Sequence, residues 1–308
     1  MNTKLNTDRP SIIRSLWTML LLSATVAFPI LVSGRLSPYF YRGMLYSAGV
    51  LLPSTLPFMI VSEAYSVYGH PERIEWLCKP FSLITGFCGE CFGPFAVGCV
   101  AGFPIGAKMS AETYARGLVS KGEAERLSAL SNQPSPAFVF GVLGAAVNIP
   151  QAGVKLYSAI VASSLITALI TRKRGDNTSS RPEGLEERAF DLVGTVRGCA
   201  ISSVYLCAFV SLFYALTHLL EDQLPREACY FIYPFFEVCS GCQFFAGASD
   251  PLSLAMLGFT LGFGGLSVGM QSALFLRDKG LSLYGYFKYK LIQGTICFVI
   301  CLLLSQTV

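Results

Sequence analysis

The sequence predicts an all-α polytopic transmembrane protein with broken or re-entrant helices and two weakly related halves. Of its 308 residues, 53% are hydrophobic and only 14% are charged, against about one quarter charged in an ordinary soluble domain. A helix needs about 20 uncharged residues to cross the hydrocarbon core, and that length predicts about eight to ten spanning or re-entrant segments here. Among the long segments without Lys, Arg, Asp or Glu are Ser15 to Gly34, Gly43 to Ser62, Gly198 to Leu220, Pro251 to Leu276 and Leu291 to Val308.

The charged residues indicate membrane topology rather than nucleic-acid binding. The net charge is only +4, and the basic residues form no patch interleaved with exposed aromatic residues. Lys4, Arg9 and Arg14 precede the first apolar stretch, and residues 172–174 follow another. Both flanks are therefore candidate cytoplasmic segments. Because the first stretch lacks a small-x-small cleavage site, it is predicted to be an uncleaved anchor.

Composition divides the chain into an N-terminal anchor helix (1–42), a first half (43–171), a polar linker with an interfacial helix (172–197) and a second half (198–308). A weak internal repeat relates the halves, because in each a Gly-rich break opens a helix that ends in a cation followed by glycine. The paired residues are Leu56, Pro57 and Phe58 with Tyr233, Pro234 and Phe235; Gly98, Gly102 and Phe103 with Gly258, Gly262 and Phe263; and Gly106, Arg116, Gly117 and Leu118 with Gly269, Lys279, Gly280 and Leu281.

Interrupted helices predict an internal site. Residues 81–107 and 229–249 are apolar but carry acids, and the first of these stretches also carries several glycines and prolines. In lipid, such backbone is tolerated only where protein or a water-filled cavity satisfies its N–H and C=O groups, and transporters bind their solutes at such breaks. The residues predicted to bend the chain or to let backbone approach a ligand are Gly102, Pro104, Gly106, Pro136, Gly264 and Gly265. Close helix packing is the alternative role of the glycines.

The segment 101–144 contains clear helix start signals. Ser120 and Glu123 form a capping box that opens one helix. Ser135 and Pro136 are the N-cap and first residue of a further apolar half-helix, whose free N–H groups and positive dipole end would face the preceding break. A helix N-terminus inside a membrane protein is suited to an anion, so this segment favours an anionic or carboxylated solute.

Six polar side chains are the candidate solute ligands. Asn132, Ser135 and the nearby cation Lys108 could add donors to the half-helix, although Lys108 could instead snorkel to the headgroups. Glu237 lies in an otherwise uncharged run, and a buried acid of this kind binds solute, accepts a coupling proton or pairs with a cation. Glu63 and Glu90 are weaker candidates of the same type. Ser267 and Gln271, which follow the second Gly-rich break, complete the set.

No catalytic site, metal or cofactor is predicted. Cys88-x-x-Cys91 and Cys239-x-x-Cys242 could together hold a soft metal through four thiolates, but the repeat does not place the two pairs at equivalent positions. The remaining cysteines lie mostly in apolar segments, where a thiol behaves as a small hydrophobe. The chain contains no Walker A loop, Gly-x-Ser-x-Gly or His-Glu-x-x-His motif, so we expect no enzyme.

Several short motifs occur together between Leu51 and Leu304. They are Leu52 to Phe58, Gly102 to Lys108, Gly122 to Leu127, Asn132 to Pro136 followed by Phe138 to Gly141, the segment around Glu237, and Gly262 to Val268. In these motifs the chain resembles the sporulation integral membrane protein family of spore-forming bacteria, the YlbJ-like proteins that carry a nucleoside-recognition or Gate domain. It departs from the family pattern in reading Gln-Pro-Ser between Asn132 and Pro136.

This resemblance implies two Gate-like halves and a protein that moves dipicolinic acid, a small aromatic dicarboxylate, across the outer forespore membrane during sporulation. With the residues above, it predicts a carrier or facilitator for a small anionic solute. The alternatives are a Gate-domain permease for a nucleoside-like solute or a metal ion, and a non-transporting sporulation scaffold. Besides solute and lipid bilayer, the partners left open are a second copy of the chain and other sporulation membrane proteins.

Overall fold

The computed structural model describes residues 33–68, 75–143, 151–172, 189–247 and 250–305, and the isolated positions 18, 19 and 23. Within these ranges the chain forms helices joined by turns and short breaks, without a strand. The prediction of an all-α fold is therefore confirmed. Most of the predicted anchor helix (1–42) and residues 173–188 of the polar linker lie outside the described residues.

Between residues 33 and 172 the described residues form eight helices, several of which are short. They are α1 (Ser33–Leu51, with a π-helical last turn over Ser47–Leu51), α2 (Leu52–Tyr68), α3 (Glu75–Thr85), α4 (Phe92–Ala101), α5 (Ile105–Ala115), α6 (Lys121–Leu130), the π-helical α7 (Ala137–Leu143) and α8 (Ala152–Ile170). A 3₁₀ turn over Gly89–Cys91 leads into α4.

From residue 189 onwards the described residues form six α-helices. They are α9 (Leu192–Glu221), α10 (Arg226–Phe236), α11 (Val238–Ala246), α12 (Pro251–Phe263), α13 (Gly265–Leu276) and α14 (Leu283–Ser305). Asp191 and Asp250 cap α9 and α12 by accepting hydrogen bonds from backbone N–H groups three residues later. Such capping satisfies donors that the first helical turn leaves free.

Four helical runs in the described residues are long and apolar enough to cross a membrane, which supports the polytopic prediction. They are Ala152–Ile170, Leu192–Glu221, Pro251–Lys279 and Leu283–Ser305. Two bent pairs raise the number to six if each is one span: Ser33–Leu51 with Thr55–Tyr65, bent by 52°, and Glu75–Thr85 with Gly89–Ala101, bent by 99°. The other helices are too short to cross alone, so this number lies below the eight to ten segments predicted when re-entrant ones are included.

The run Pro251–Lys279 is the most deeply buried of these spans, with 83% of its apolar window inside the protein. It packs against α14 through glycines: a Cβ added at Gly258 would lie 2.5 Å from the Cys301 sulfur, and one added at Gly262 would lie 3.0 Å from the Gly294 Cα. Small residues let membrane helices approach this closely. Close packing therefore accounts for Gly258 and Gly262.

The predicted helix breaks are present. Gly102 separates α4 from α5 with φ 89° and ψ 179°, a conformation open essentially only to glycine. Gly264 and Gly265, with φ of 82° and 74°, separate α12 from α13. A third break runs from the end of α6 to the start of α7, and Glu237 forms a fourth between α10 and α11.

The two helix ends that the repeat predicts have the same local structure. Gly117 and Gly280 adopt φ of 72° and 69°. The N–H of Leu118 donates to the Thr113 carbonyl at 3.2 Å, and the N–H of Leu281 donates to the Leu276 carbonyl at 3.0 Å. This is the Schellman arrangement of a glycine-capped helix. The predicted glycine caps are confirmed, while the relation between the whole halves stays a prediction.

Candidate functional site: a cavity at the helix breaks

A cavity of about 120 Å³ lies where the breaks of the two halves meet. Gly102 and Phe103 contribute from the first half with Ser135, while Glu237 and Gln271 contribute from the second. Much of the remaining wall is apolar and includes Val50, Leu51, Leu206, Val210, Val238 and Val268. Since a protein cavity of about 150 Å³ can hold benzene, this space accommodates about one six-membered ring.

Glu237 is fully buried at the start of α11. One carboxylate oxygen accepts the Cys239 N–H at 3.0 Å, and the other accepts the Ser240 N–H at 2.6 Å and the Ser240 hydroxyl at 2.9 Å. These donors and the helix dipole stabilise a negative charge. Glu237 is thus an acid in the cavity wall whose position is fixed by the break it occupies.

Two further predicted residues lie in the wall. The Ser135 hydroxyl accepts the Phe138 N–H at 3.2 Å, which confirms Ser135 as the cap of α7, and Pro136 forms the first helical residue. The Gln271 amide lines the cavity and donates to the Ser267 hydroxyl at 3.2 Å. Ser267 is fully buried and contacts Gln271 without lining the cavity itself.

The glycines of the second break support this wall. A Cβ at Gly264 would lie 3.4 Å from the Phe103 ring, and one at Gly265 would lie 3.1 Å from the Phe236 carbonyl oxygen. The positive φ of both residues places α13 against the first break and the α10–α11 break. The predicted backbone role of Gly264 and Gly265 is therefore to bring these segments together, which agrees with close approach at a Gly-rich break.

A buried polar cluster lies behind Phe103 and joins the two halves. The Asn132 amide nitrogen donates to the Ser272 hydroxyl and to the Tyr286 hydroxyl, each at 2.9 Å. The Lys290 ammonium donates to the backbone carbonyl oxygen of Asn132 at 2.9 Å and to the side-chain amide oxygen of Gln293 at 3.1 Å. Asn132 thus contacts α13 and α14 instead of lining the cavity directly.

Lys290 is the functional candidate that the sequence prediction missed. It is fully buried, and no carboxylate oxygen of the described residues lies within 4 Å of its nitrogen. The nitrogen lies 5.5 Å from the centroid of the Phe103 ring. Phe103 also lines the cavity. Buried membrane cations pair with acids, backbone carbonyls or a solute. The sequence feature that could have identified Lys290 is the i, i+4, i+7 spacing of Tyr286, Lys290 and Gln293, which places these polar side chains on one face of α14.

Comparison with known proteins links this architecture to sporulation. The chain is similar to the sporulation integral membrane protein YlbJ of Bacillus subtilis (strain 168). The two are 26% identical over a region that covers 83% of this chain and 74% of the Bacillus protein. No family model matches the chain, and no solved structure matches it. The similarity supports the resemblance to YlbJ-like sporulation membrane proteins.

Lys108 does not join the group around the cavity. Its ammonium lies 2.7 Å from a Glu63 carboxylate oxygen and 3.6 Å from a Glu112 oxygen. All three residues lie at or near a second cavity of about 340 Å³, which Asp191 and residues of α9 also line. The expectation that Lys108 lies with Asn132 and Ser135 around one solute is therefore wrong in its geometry, because two carboxylates hold this cation on α5.

Replacing Lys108 with Gln should lower stability and leave solute affinity unchanged. The change removes the cation beside two partly buried carboxylates, and the expected loss of about 1–3 kcal/mol lies between values for exposed and buried pairs. Lys79→Gln is the matched control, because its pair with Glu75 is exposed on both sides and should contribute little. Thermal melting and solute titration in detergent would check both variants. A weaker solute affinity with unchanged melting would contradict the assignment.

The remaining predicted backbone residues have defined places. Pro104 directly precedes α5. Gly106, in the first turn of α5, packs against the segment after α6: an added Cβ would lie 2.7 Å from the Asn132 nitrogen and closer still to the Ser131 carbonyl group. Gly98 approaches the same Ser131 carbonyl from α4. The first break and the Asn132 segment are therefore in direct backbone contact.

The two cysteine pairs do not form one four-thiolate site. In the part of the chain that the structure describes, the group of potential metal ligands is Cys88, Cys91 and Glu123. Cys239 and Cys242 lie instead in the apolar core that α8, α12 and α14 share. The alternative of one metal site made by all four thiols is thus excluded by the structure, since each pair lies in the core of a different helix group.

Proposed function

We propose that this protein is a secondary carrier or facilitator for a small carboxylated solute in the membrane of a sporulating cell. The observation that carries the proposal is the cavity at which Gly102, Glu237 and the Gly264–Gly265 break come together. Broken helices around a central cavity are the usual plan of a transporter site. The similarity to a sporulation integral membrane protein supports the cellular setting.

The polar cluster behind Phe103 favours an anionic solute. An ammonium has three donors, and in the described residues Lys290 uses two of them, on Asn132 and Gln293. The side-chain oxygen of Asn132 is buried without a hydrogen-bond partner there. The cluster can therefore offer a guest one charged donor and one acceptor. A dicarboxylic acid with one proton remaining matches this pair, since its carboxylate accepts and its hydroxyl donates.

Dipicolinate is the solute that we propose. It combines one six-membered aromatic ring with two carboxylates; the cavity of about 120 Å³ is close to the size of the ring, so the carboxylates would extend beyond it. A nucleoside, with a base and a ribose, is larger still. Because the Phe103 ring lies between the cavity and Lys290, a solute carboxylate must displace this ring to reach the ammonium. In this proposal the protein acts in the outer forespore membrane.

Glu237 would couple solute binding to a proton. At an effective dielectric constant of about 20, two like charges about 5 Å apart repel by about 3 kcal/mol, so a carboxylated solute next to ionised Glu237 binds weakly. A proton on Glu237, or on the solute, removes this repulsion. We therefore propose that solute and proton enter the site together, which requires uptake to increase as the pH falls.

Glu237→Gln should reduce the pH dependence of uptake. The neutral amide keeps an oxygen that can accept one of the α11 N–H bonds, so the helix start is weakened but present. In the wild type one proton coupled through Glu237 allows up to about a tenfold change in apparent affinity per pH unit, while the variant should keep only the pH dependence that comes from the solute's own proton. Glu227→Gln is the control, since Glu227 is exposed at the start of α10. An unchanged slope in Glu237→Gln would contradict the coupling role.

Reconstituted vesicles test the transport function itself. Purified protein in liposomes should accumulate radiolabelled dipicolinate above empty liposomes, and unlabelled dipicolinate should compete better than benzoate or a nucleoside. Competition by a nucleoside alone would favour the nucleoside permease. Absence of flux for every solute, from vesicles that contain folded protein, would overturn the carrier proposal and favour a scaffold role. Dipicolinate measured in spores and mother cells of a deletion strain gives the corresponding readout in cells.

A further inference from the structure

We propose that Cys88, Cys91 and Glu123 bind a Zn²⁺ ion that fastens the tip of the α3–α4 hairpin to α6. The Cys88 and Cys91 sulfurs are 3.5 Å apart, and the Cys91 sulfur lies 3.6 Å from one Glu123 carboxylate oxygen. The ligand atoms of all three residues lie within 4.8 Å of one another. Two thiols and a carboxylate at these separations form a compact site for a soft divalent cation.

The distances agree with tetrahedral coordination. With bonds of ~2.3 Å to sulfur and ~2.0 Å to oxygen, a tetrahedral Zn²⁺ separates two sulfurs by about 3.8 Å and a sulfur from an oxygen by about 3.5 Å. The separations in the protein are 3.5 Å and 3.6 Å. Shifts of a few tenths of an ångström would bring these two separations to the tetrahedral values. The third pair, the Cys88 sulfur and the Glu123 carboxylate oxygen, lies within 4.8 Å.

Glu123 supplies independent evidence for a ligand. It is only 1% exposed, and its second carboxylate oxygen has no hydrogen-bond partner among the described residues. An unsatisfied buried oxygen costs about 1–3 kcal/mol or more when charged. Coordination of the carboxylate to an ion would compensate the charge on this oxygen. The two thiolates and the carboxylate would then provide three ligands, with the fourth position of the tetrahedron left for a water molecule.

The capping box explains how Glu123 became available. The Ser120 hydroxyl accepts the Glu123 N–H at 3.3 Å, as the sequence predicts. In a complete box the glutamate side chain would return to the Ser120 N–H. Instead one Glu123 oxygen accepts the Cys88 N–H at 2.7 Å. The side chain thus turns away from its own helix and towards the two cysteines, so that the second half of the predicted box is absent.

A buried cation near the site would compensate the negative charge of the metal complex. Binding Zn²⁺ releases one proton from each thiol, and two thiolates with one carboxylate then leave a net charge of −1 around the ion. Arg126 lies one turn after Glu123 on α6, is 3% exposed, and stacks 4.1 Å from the centre of the Phe87 ring. It also donates to the Gly86 carbonyl at 3.3 Å. Its charge beside the loop favours the anionic complex.

The ion would add a link between α6 and the turn that joins α3 to α4. Glu75–Thr85 and Gly89–Ala101 meet at 99°, and Cys88 and Cys91 belong to the short turn between them. A metal bridge from this turn would hold α3 and α4 beside α6, the helix that precedes Asn132. The proposed role is structural, and it is independent of which solute the cavity binds.

Metal analysis of purified protein tests the site. Protein purified under reducing conditions and supplied with Zn²⁺ should retain about one ion per chain after gel filtration, and Co²⁺ should give the thiolate charge-transfer and tetrahedral absorption bands. The double variant C88S/C91S should lose the ion. Glu123→Gln should weaken Zn²⁺ binding at least tenfold, because it replaces a charged ligand by a neutral one. The variant C239S/C242S is the matched control and should retain one ion, since among the described residues these two thiols are not part of a compact group of three ligands.

Three results would overturn the site: wild-type protein that binds no Zn²⁺ and gives no Co²⁺ bands, equal loss in C239S/C242S, or a Cys88–Cys91 disulfide in protein purified without a reductant but with Zn²⁺ present. If C88S/C91S does not fold, the Co²⁺ spectrum of the wild type and its increase in melting temperature with Zn²⁺ decide the question without a variant. None of these measurements involves solute flux. Failure of the carrier proposal would therefore leave this result unaffected, and the converse also holds.

Discussion

Replacing Lys290 with Gln should reduce dipicolinate uptake by roughly 10- to 150-fold. A hydrogen bond to a charged group contributes about 1.5–3 kcal/mol, and each 1.4 kcal/mol corresponds to about tenfold in affinity. Lys290 is the buried cation of the cluster that has no carboxylate partner among the described residues, so its charge is available to a solute carboxylate. Because Gln can still donate to the Asn132 carbonyl, the loss should appear in transport and not in folding.

Lys288→Gln provides the matched control for this prediction. Lys288 lies two residues earlier on α14 but is exposed, with its ammonium 5.7 Å from the centre of the Tyr289 ring. Initial uptake rates over a range of dipicolinate concentrations should show a large change for Lys290→Gln and almost none for Lys288→Gln. Equal melting temperatures would show that both variants are folded. Normal uptake by folded Lys290→Gln would exclude the lysine as the solute's cation.

The breaks and caps could be predicted because they depend on local backbone chemistry. Gly102 and Gly264 adopt backbone angles that residues with a Cβ rarely tolerate. A proline or serine near a helix start is a sequence pattern that predicts where the helix begins. Ser135 caps α7 as expected. Gly117 and Gly280 end their helices for the same reason. In these places the short-range sequence determines the structure.

The partners of the charged side chains could not be predicted in this way. Lys108 and Lys290 both border apolar stretches in the sequence, yet one contacts two acids and the other contacts amides and a backbone carbonyl. The partner of each cation depends on contacts between residues that are far apart in the sequence, 158 positions in the case of Lys290 and Asn132. Glu123 is a similar case, since its capping signal is local but its carboxylate turns to Cys88.

The position of Glu237 was accessible from sequence, whereas its surroundings were not. An acid in an uncharged run predicts a buried functional group, and the structure places Glu237 in the cavity wall. Its hydrogen bonds to the α11 backbone follow from the helix that starts directly after it. The neighbouring cavity, however, requires α13 and the first break to meet, and this depends on tertiary packing.

Gly106→Ala should damage both stability and transport. An added Cβ would lie 2.7 Å from the Asn132 nitrogen and closer to the Ser131 carbonyl. These neighbours are backbone atoms, so the segment that contains Ser131 and Asn132 has to move as a whole. Overpacking of this kind costs about 1–3 kcal/mol, occasionally more. The displacement would also move the Asn132 carbonyl away from Lys290, to which it is joined at 2.9 Å.

Gly198→Ala separates this steric effect from the general effect of alanine. Gly198 lies in α9 with nothing within 4 Å of an added Cβ, and alanine in a helix interior is favoured over glycine by roughly 0.5–1 kcal/mol. This variant should therefore melt at or slightly above the wild-type temperature and transport normally, while Gly106→Ala melts lower and loses uptake. If both variants behaved alike, the close contact between α5 and the Asn132 segment would not hold the site together. The cavity and the Lys290 cluster would then have to be positioned by α12, α13 and α14 alone.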